Sequence, residues 1–151
     1  MSCFLSAVIE EEQSVAELMR RALAGDLMNR NVKFIREDAS LLDAIRKMKE
    51  FDVSSLMVES ANKADGIGIV TRKDLITKLI DPDPGTQHAL VSDVMTMPAI
   101  MVPPGMSILG CVRLMKQCNV RRVPVFDGKQ VVGILSNSDI FKKFYPGPTI
   151  A

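Results

Sequence analysis

The apolar positions of this chain fall into two successions that share one order. In the first, Phe34-Ile35, Ser55–Val58 and Ile67–Val70 are short apolar runs bounded by polar residues, the pattern of strands. Between the first two of these, Leu41, Ala44, Ile45, Met48 and Phe51 recur at helical spacing behind Ser40, an N-cap residue. Leu75, Ile76, Leu79 and Ile80 give a second helical face after Thr71. The second succession restarts at Asp93-Val94-Met95, 67 residues after Asp26-Leu27-Met28. Ser107 then matches Ser40, Met115 matches Met48 and Val120 matches Val53. Strands are expected at Val123–Phe126 and Val131–Leu135, joined by Asp127-Gly128, a hairpin signal. Ile140, Phe141 and Phe144 form the last helical face. The later loop is two residues shorter, so the offset falls to 65 by the final helix.

The predicted fold class is therefore α/β (α+β). Two β-α-β-β-α repeats, 26–80 and 93–145, are joined by a linker over 81–92. Asp81-Pro-Asp-Pro-Gly85 cannot continue a helix, and Tyr145-Pro-Gly-Pro148 begins a loose tail. Each repeat is too small to be comfortable alone, so the two are expected to pack about a pseudo-two-fold axis. Residues 1–25 form an extension. Ser14-Val-Ala-Glu17 reads as a capping box opening a helix with Val15, Leu18, Met19, Ala22 and Leu23 on one face and Gly25 as its stop. That helix has no long counterpart in the second repeat, so it must cover the core or join a homodimer contact, the dimer being the favoured role.

The repetition extends to chemistry. Gly68-Ile-Val-Thr-Arg-Lys-Asp74 and Gly133-Ile-Leu-Ser-Asn-Ser-Asp139 each place a glycine, a hydroxyl residue three on, and an aspartate three further on. Each stands where a strand gives way to a helix. A glycine there permits close approach to the backbone. A capped helix start offers unpaired N–H groups and positive dipole, which suit a phosphate. An ionised aspartate is acceptor-only, with two oxygens for the two hydroxyls of a ribose. Ser/Thr-x-x-Asp is also an ordinary capping box; the duplication at equivalent places favours the binding role.

Charge and composition narrow the class. Nineteen basic and eighteen acidic residues leave a net charge of +1, so nothing steers the chain toward nucleic acid or an anionic membrane. No apolar run reaches transmembrane length. Three cysteines cannot all pair, and Cys111 and Cys118 fall on core-type positions, which reads as buried apolar filler in a reducing cytoplasm. The ten methionines read the same way. His88 is the only histidine, in a polar linker, and no cluster has metal-ligand spacing, so neither catalysis nor a metal is expected. Pro124 inside a strand predicts an edge position or a bulge.

Asp-Val-Met-Thr96 at a repeat start, Asn119-Val-Arg-Arg-Val-Pro-Val125 leading a strand, and Gly-h-h-Ser/Thr-x-x-Asp leading a helix resemble a tandem pair of cystathionine-beta-synthase (CBS) domains, a Bateman module, from about Asp26 to Phe144. The resemblance implies a non-catalytic sensor of AMP, ADP, ATP, S-adenosylmethionine or a related adenosyl ligand, dimeric and regulating a partner protein. With no effector segment attached, that partner is expected to be met in trans. The resemblance implies one cleft using Ile69, Thr71, Lys73 and Asp74 with Thr96, Ala99, Met101 and Arg121. Its twin would use Ile134, Ser136, Ser138 and Asp139 with Met28, Asn31, Lys33, Val53 and Ser54. Adjacent strand residues point oppositely, so only one of Arg121 and Arg122 can face a given cleft. The first repeat departs from the pattern: Met28-Asn29 replaces Met-Thr and Ser54-Ser55 replaces Arg-Arg. The Asp74 cleft, drawing Thr96 and Arg121, is therefore expected to be the better phosphate binder. The competing class is a structural adaptor, the same fold used for dimerisation or docking with empty clefts.

Overall fold

The computed structural model describes residues 2–80 and 88–144, apart from the side chains of residues 2–4 and 8–13. The expected Asp81–Gly85 linker, the tail from Tyr145 and the Cys3 side chain lie outside the described residues. Six helices are described: α1 (Ser2–Arg21), α2 (Ala24–Leu27), α3 (Leu41–Phe51), α4 (Arg72–Leu79), α5 (Ile108–Cys118) and α6 (Asn137–Phe144). The strands are β1 (Phe34–Arg36), β2 (Ser55–Glu59), β3 (Ile67–Thr71), β4 (Arg122–Phe126) and β5 (Val131–Ser136).

The repeat is visible in the caps. Ser40 accepts from Asp43 N at the start of α3, and Ser107 from Gly110 N at the start of α5. Each helix ends on a left-handed residue, Asp52 (φ 51°) and Asn119 (φ 54°). The next N–H returns to the helix in both, from Val53 to Met48 O and from Val120 to Met115 O. These bonds occupy carbonyls that the helix end would otherwise leave open.

The chain divides into two compact units, and they are not the two sequence repeats. One is Asn31–Ala99; the other joins the chain up to Arg30 with everything from Ile100 on. In the first, β1 lies parallel to β2 and β2 antiparallel to β3, with Ser55 opposite Thr71. Leu56, Val58 and Val70 send alternate side chains into a core with Leu41, Ala44, Met48 and Leu75 of the helices. The segment that opens the second repeat completes this unit: Ala89 and Val91 enter its core, and Thr96 bridges to Ile69. In the second unit, Val123, Val125 and Leu135 pack with Ile108, Cys111, Met115 and Ile140. The segment opening the first repeat completes it, with Ala24 fully buried and Asn29 bridged to Ile134. Each opening segment thus lies on the other repeat's last strand.

The second repeat has two strands where three were expected, and Pro124 supplies the reason. In the first unit, Met57 N donates to Lys33 O and helps fasten β1 to β2. The matching residue, Pro124, has no N–H to give. The strand expected before Ser107 is reduced to one parallel bridge, in which Val102 N donates to Pro124 O and Phe126 N to Val102 O. The β4–β5 register also shifts at Val125/Phe126, in keeping with the edge or bulge that the proline predicts. Asp127 Oδ1 accepts from Lys129 N and Gln130 N across the hairpin turn, and Gly128 takes φ +100°. Those two donors hold the Asp127 carboxyl below its usual range.

The N-terminal helix differs from expectation. It runs from Ser2 to Arg21, so Ser14 lies inside it rather than capping it. Glu10-Glu-Glu-Gln13 are good helix formers, and nothing before Ser14 breaks the helix. Gly25 does not stop α1 either; it sits in the single turn α2, where Gly25 N donates to Pro104 O and a Cβ would meet Pro104 at 3.3 Å. Helix α1 packs on α5, with Met19 and Ala22 against the core while Leu18 stays 52% exposed. Cys111 is fully buried, which pushes its thiol pKa up, and Cys118 is half-buried; both are free. Among the described residues, no helix is long and apolar enough to cross a membrane.

Candidate functional site

Both strand-to-helix turns are built as the repeated motif requires. Thr71 caps α4: its Oγ1 accepts from Asp74 N at 3.3 Å. Asp74 Oδ2 in turn accepts from Thr71 N at 2.8 Å and from Thr71 Oγ1 at 2.9 Å. At α6, Ser136 Oγ accepts from Asp139 N at 3.1 Å and donates to Asp139 Oδ2 at 2.8 Å. The capping box is therefore real, and it occupies only one carboxylate oxygen of each pair. Oδ1 of Asp74 and of Asp139 accepts no hydrogen bond among the described residues. Each aspartate is half-buried and held at a fixed angle by its own cap, which leaves an oriented acceptor.

The glycines of the two motifs serve the chain's own backbone. A Cβ on Gly133 would lie 2.5 Å from Met28 Sδ and 2.9 Å from Met28 Cβ. A Cβ on Gly68 would lie 3.0 Å from Thr96 O. The group that approaches so closely is the opening segment of the other repeat. Ile69 and Thr96 exchange both backbone bonds at 2.9 Å, and Ile134 and Asn29 do so at 2.9 and 2.8 Å.

Several of the expected residues share a unit. Ile69, Thr71, Lys73 and Asp74 share a unit with Thr96 and Ala99, whose N donates to Ile67 O. Ile134, Ser136, Ser138 and Asp139 share the other with Met28, Met101 and Arg121. Asn29, rather than Met28, occupies the place that Thr96 holds in the first unit. Its offset of 67 from Thr96 was the available signal. Arg121 and Ser54 stand at equivalent places beside the two helix starts. Arg121 O accepts from Asn137 N at the start of the Asp139 helix, and Ser54 O accepts from Arg72 N at the start of the Asp74 helix, both at 2.9 Å. Arg122, weighed beside Arg121 from sequence, lies directly opposite Ser136 in the β4–β5 ladder.

Three further expected residues have contacts within their own unit. Lys33 Nζ lies 4.6 Å from the centroid of the Phe51 ring, and Asn31 Nδ2 donates to Phe51 O at 3.3 Å. Val53 is packed against the core of its unit. Beside Asp74 is a hollow of about 370 Å³ lined by Lys73, Thr77, Lys78 and Val94. A hollow of about 600 Å³ beside Asp139 is lined by Asp26, Leu27, Lys142 and Lys143, among others. These linings correspond, since Asp74, Lys78 and Val94 match Asp139, Lys143 and Leu27. A further hollow of about 430 Å³ near β1 contains Arg36 and Asp38, but these two satisfy each other through a fork of 3.1 Å bonds. That pairing raises the Arg36 pKa and lowers that of Asp38. Among the described residues, no group of three or more His, Cys, Asp or Glu is placed to hold a metal ion.

Known proteins repeat this arrangement. The chain is 27% identical over 125 residues to an uncharacterized protein of Methanopyrus kandleri, a match covering 82% of this chain and 63% of that one. It therefore spans less than two thirds of that relative, and coverage falls to 52% in the mitochondrial CBS domain-containing protein CBSX3 of Arabidopsis thaliana. Among solved structures, the hexameric CBS-CP12 protein from bloom-forming cyanobacteria is 36% identical with a TM-score of 0.75, over 80% of this chain and 67% of that one. The CBSX2 structure in complex with AMP is 25% identical with a TM-score of 0.64, over 81% of this chain and 95% of that one. The CBS domain profile matches residues 24–81 and again 91–145. With its sequence repeat, its strand and helix order and its paired Asp-bearing turns, the chain belongs to the CBS-domain family, as a tandem pair.

Proposed function

We propose that the chain is a regulatory module that binds an adenosyl ligand of the AMP, ADP or ATP type at Asp74 and Asp139. It transmits occupancy to a partner protein in trans. The observation that carries this reading is the pair of aspartates at equivalent turns, each with Oδ2 fixed by its cap and Oδ1 open. Two vicinal hydroxyls of a ribose fit such an acceptor, and Ile69 and Ile134 stand beside it on bridged backbone. The AMP complex of CBSX2 supports the same ligand class here. No chemical step is assigned to the module.

The test is thermal unfolding with adenosine, AMP, ADP and ATP, each beside its guanosine counterpart. A ligand that binds only the folded chain at a hundredfold excess over its Kd stabilises it by about 2.7 kcal/mol. The adenosyl compounds are expected to raise the midpoint and the guanosyl ones not to. No shift with any adenosyl compound, together with no adenine released on boiling the purified protein, would overturn the proposal.

A second reading, self-association, is favoured by one observation. Ile76, Leu79 and Ile80 form an exposed row on one side of α4, and Phe141, the counterpart of Ile76, is 63% exposed. Such rows mark contact surfaces. We place a homodimer contact there; its occupant is a second copy of the chain, consistent with the hexameric state of the cyanobacterial neighbour. In the adaptor version of this reading the ligand sites stay empty and the association is the whole function.

A further inference from the structure

A methionine lies over each of the two motif glycines, and the two lie there differently. Over Gly133 the Met28 side chain runs along the strand: a Cβ on the glycine would meet Sδ at 2.5 Å, Cγ at 2.6 Å and Cβ at 2.9 Å. Over Gly68 only the end of Met97 comes that close, with Cε at 2.9 Å and Cβ standing off at 3.4 Å. The glycines are equivalent but the methionines are not, since the residue 67 before Met97 is Arg30. Met28 and Met97 are both half-buried, within reach of a small solute, whereas Met57 and Met115 are closed off at 0% and 2% exposure. Next to Met28 is Asn29, which exchanges both backbone hydrogen bonds with Ile134; next to Met97 is Thr96, which does the same with Ile69.

We propose that Met28 is a site of oxidative modification, and that its oxidation by hydrogen peroxide frees the opening segment from β5. The thioether sulfur attacks one peroxide oxygen with a lone pair and the O–O bond breaks. Sulfur keeps that oxygen as a sulfoxide and the other leaves as water, so sulfur is oxidised by two electrons and the peroxide reduced by two. The product carries a polar S–O acceptor where the thioether packed as an apolar chain. Against the core of its unit that oxygen must turn to water or stay unsatisfied. Met28 cannot turn by its tip alone, because its Cβ, Cγ and Sδ all lie on Gly133. Withdrawing the side chain therefore carries the Met28 backbone, and Asn29 with it, away from Ile134. Met97 can swing its methyl end clear of Gly68 and leave Thr96 paired with Ile69. Oxidation is thus felt at one bridge only, whatever the Asp-bearing turns bind.

In the experiment the full chain is treated with dilute hydrogen peroxide under native conditions. Each methionine is followed by peptide mass spectrometry, and amide hydrogen exchange is read at both bridges. Met28 is expected to gain one oxygen while Met57 and Met115 do not. The amides of Asn29 and Ile134 should then exchange at least about tenfold faster, and those of Ile69 and Thr96 should stay within about threefold of the untreated chain. Met28→Leu, which keeps the volume without the sulfur, should hold its bridge through the same treatment. Met28→Gln, a polar side chain of similar length, should loosen the Asn29–Ile134 bridge with no peroxide added, and Met97→Gln should loosen neither. The wild-type and Met28→Gln measurements stand independently of how well Met28→Leu folds. A Met28 that stays unoxidised while Met97 is converted would overturn the assignment. So would an Asn29–Ile134 bridge that keeps its protection once the Met28 sulfoxide has formed, or equal losses at both bridges.

Discussion

At Gly133 a single hydrogen decides whether the opening segment of the chain can lie on the last strand. A methyl group there would have to displace the whole Met28 side chain, down to its Cβ at 2.9 Å. Gly133→Ala is expected to lower unfolding free energy by about 1–3 kcal/mol, the usual cost of overpacking. Denaturant unfolding measures it, and adding Met28→Ala should recover much of the loss. A fully stable single variant would mean that Met28 is not held against this strand. The residue scale also shows what was legible. The Gly-h-h-Ser/Thr-x-x-Asp spacing identified both caps and both aspartates, because local hydrogen bonds follow from short sequence separations. It did not reveal that the glycines accommodate Met28 and Thr96 rather than a ligand, since that depends on segments more than 25 residues away. The contacts of Lys33 and Asn31 with Phe51 were hidden for a similar reason, since Phe51 lies at the far end of a helix.

Among the elements, helices α3 to α6 and strands β1 to β5 were legible from periodicity and from Ser40, Thr71, Ser107 and Ser136 at the turns. Helix α1 was read too short because an inviting Ser-x-x-Glu sits inside a run of good helix formers, and local propensity carries the helix through it. The missing third strand of the second unit was half legible. Pro124 announced a defect, but only the pairing of Met57 N with Lys33 O shows which hydrogen bond the proline removes. Helix α4 carries a prediction of its own. Ile76 and Ile80, 51% and 76% exposed, face away from the core that holds Leu75. Replacing both by Asp should leave the fold intact, because neither is buried, and should reduce the mass seen by light scattering to that of a monomer. An unchanged oligomer would remove α4 from the contact.

Over the whole molecule, the repeats read from sequence and the compact units of the structure differ by an exchange of opening segments. The exchange explains why each Asp-bearing turn is completed by a residue that opens the other repeat: Asn29 reaches Ile134, and Thr96 reaches Ile69. The central claim is that Asp74 and Asp139 are equivalent ribose acceptors. Calorimetric titration of adenosine into the wild-type chain, into each single Asp→Ala variant and into the double variant tests it most directly. Two sites per chain are predicted for wild type and one for each single variant. Loss of a hydrogen bond to a charged group should weaken the substituted site by about 1.5–3 kcal/mol, and the double variant should show no tight site. Unchanged affinity and stoichiometry in the double variant would contradict it.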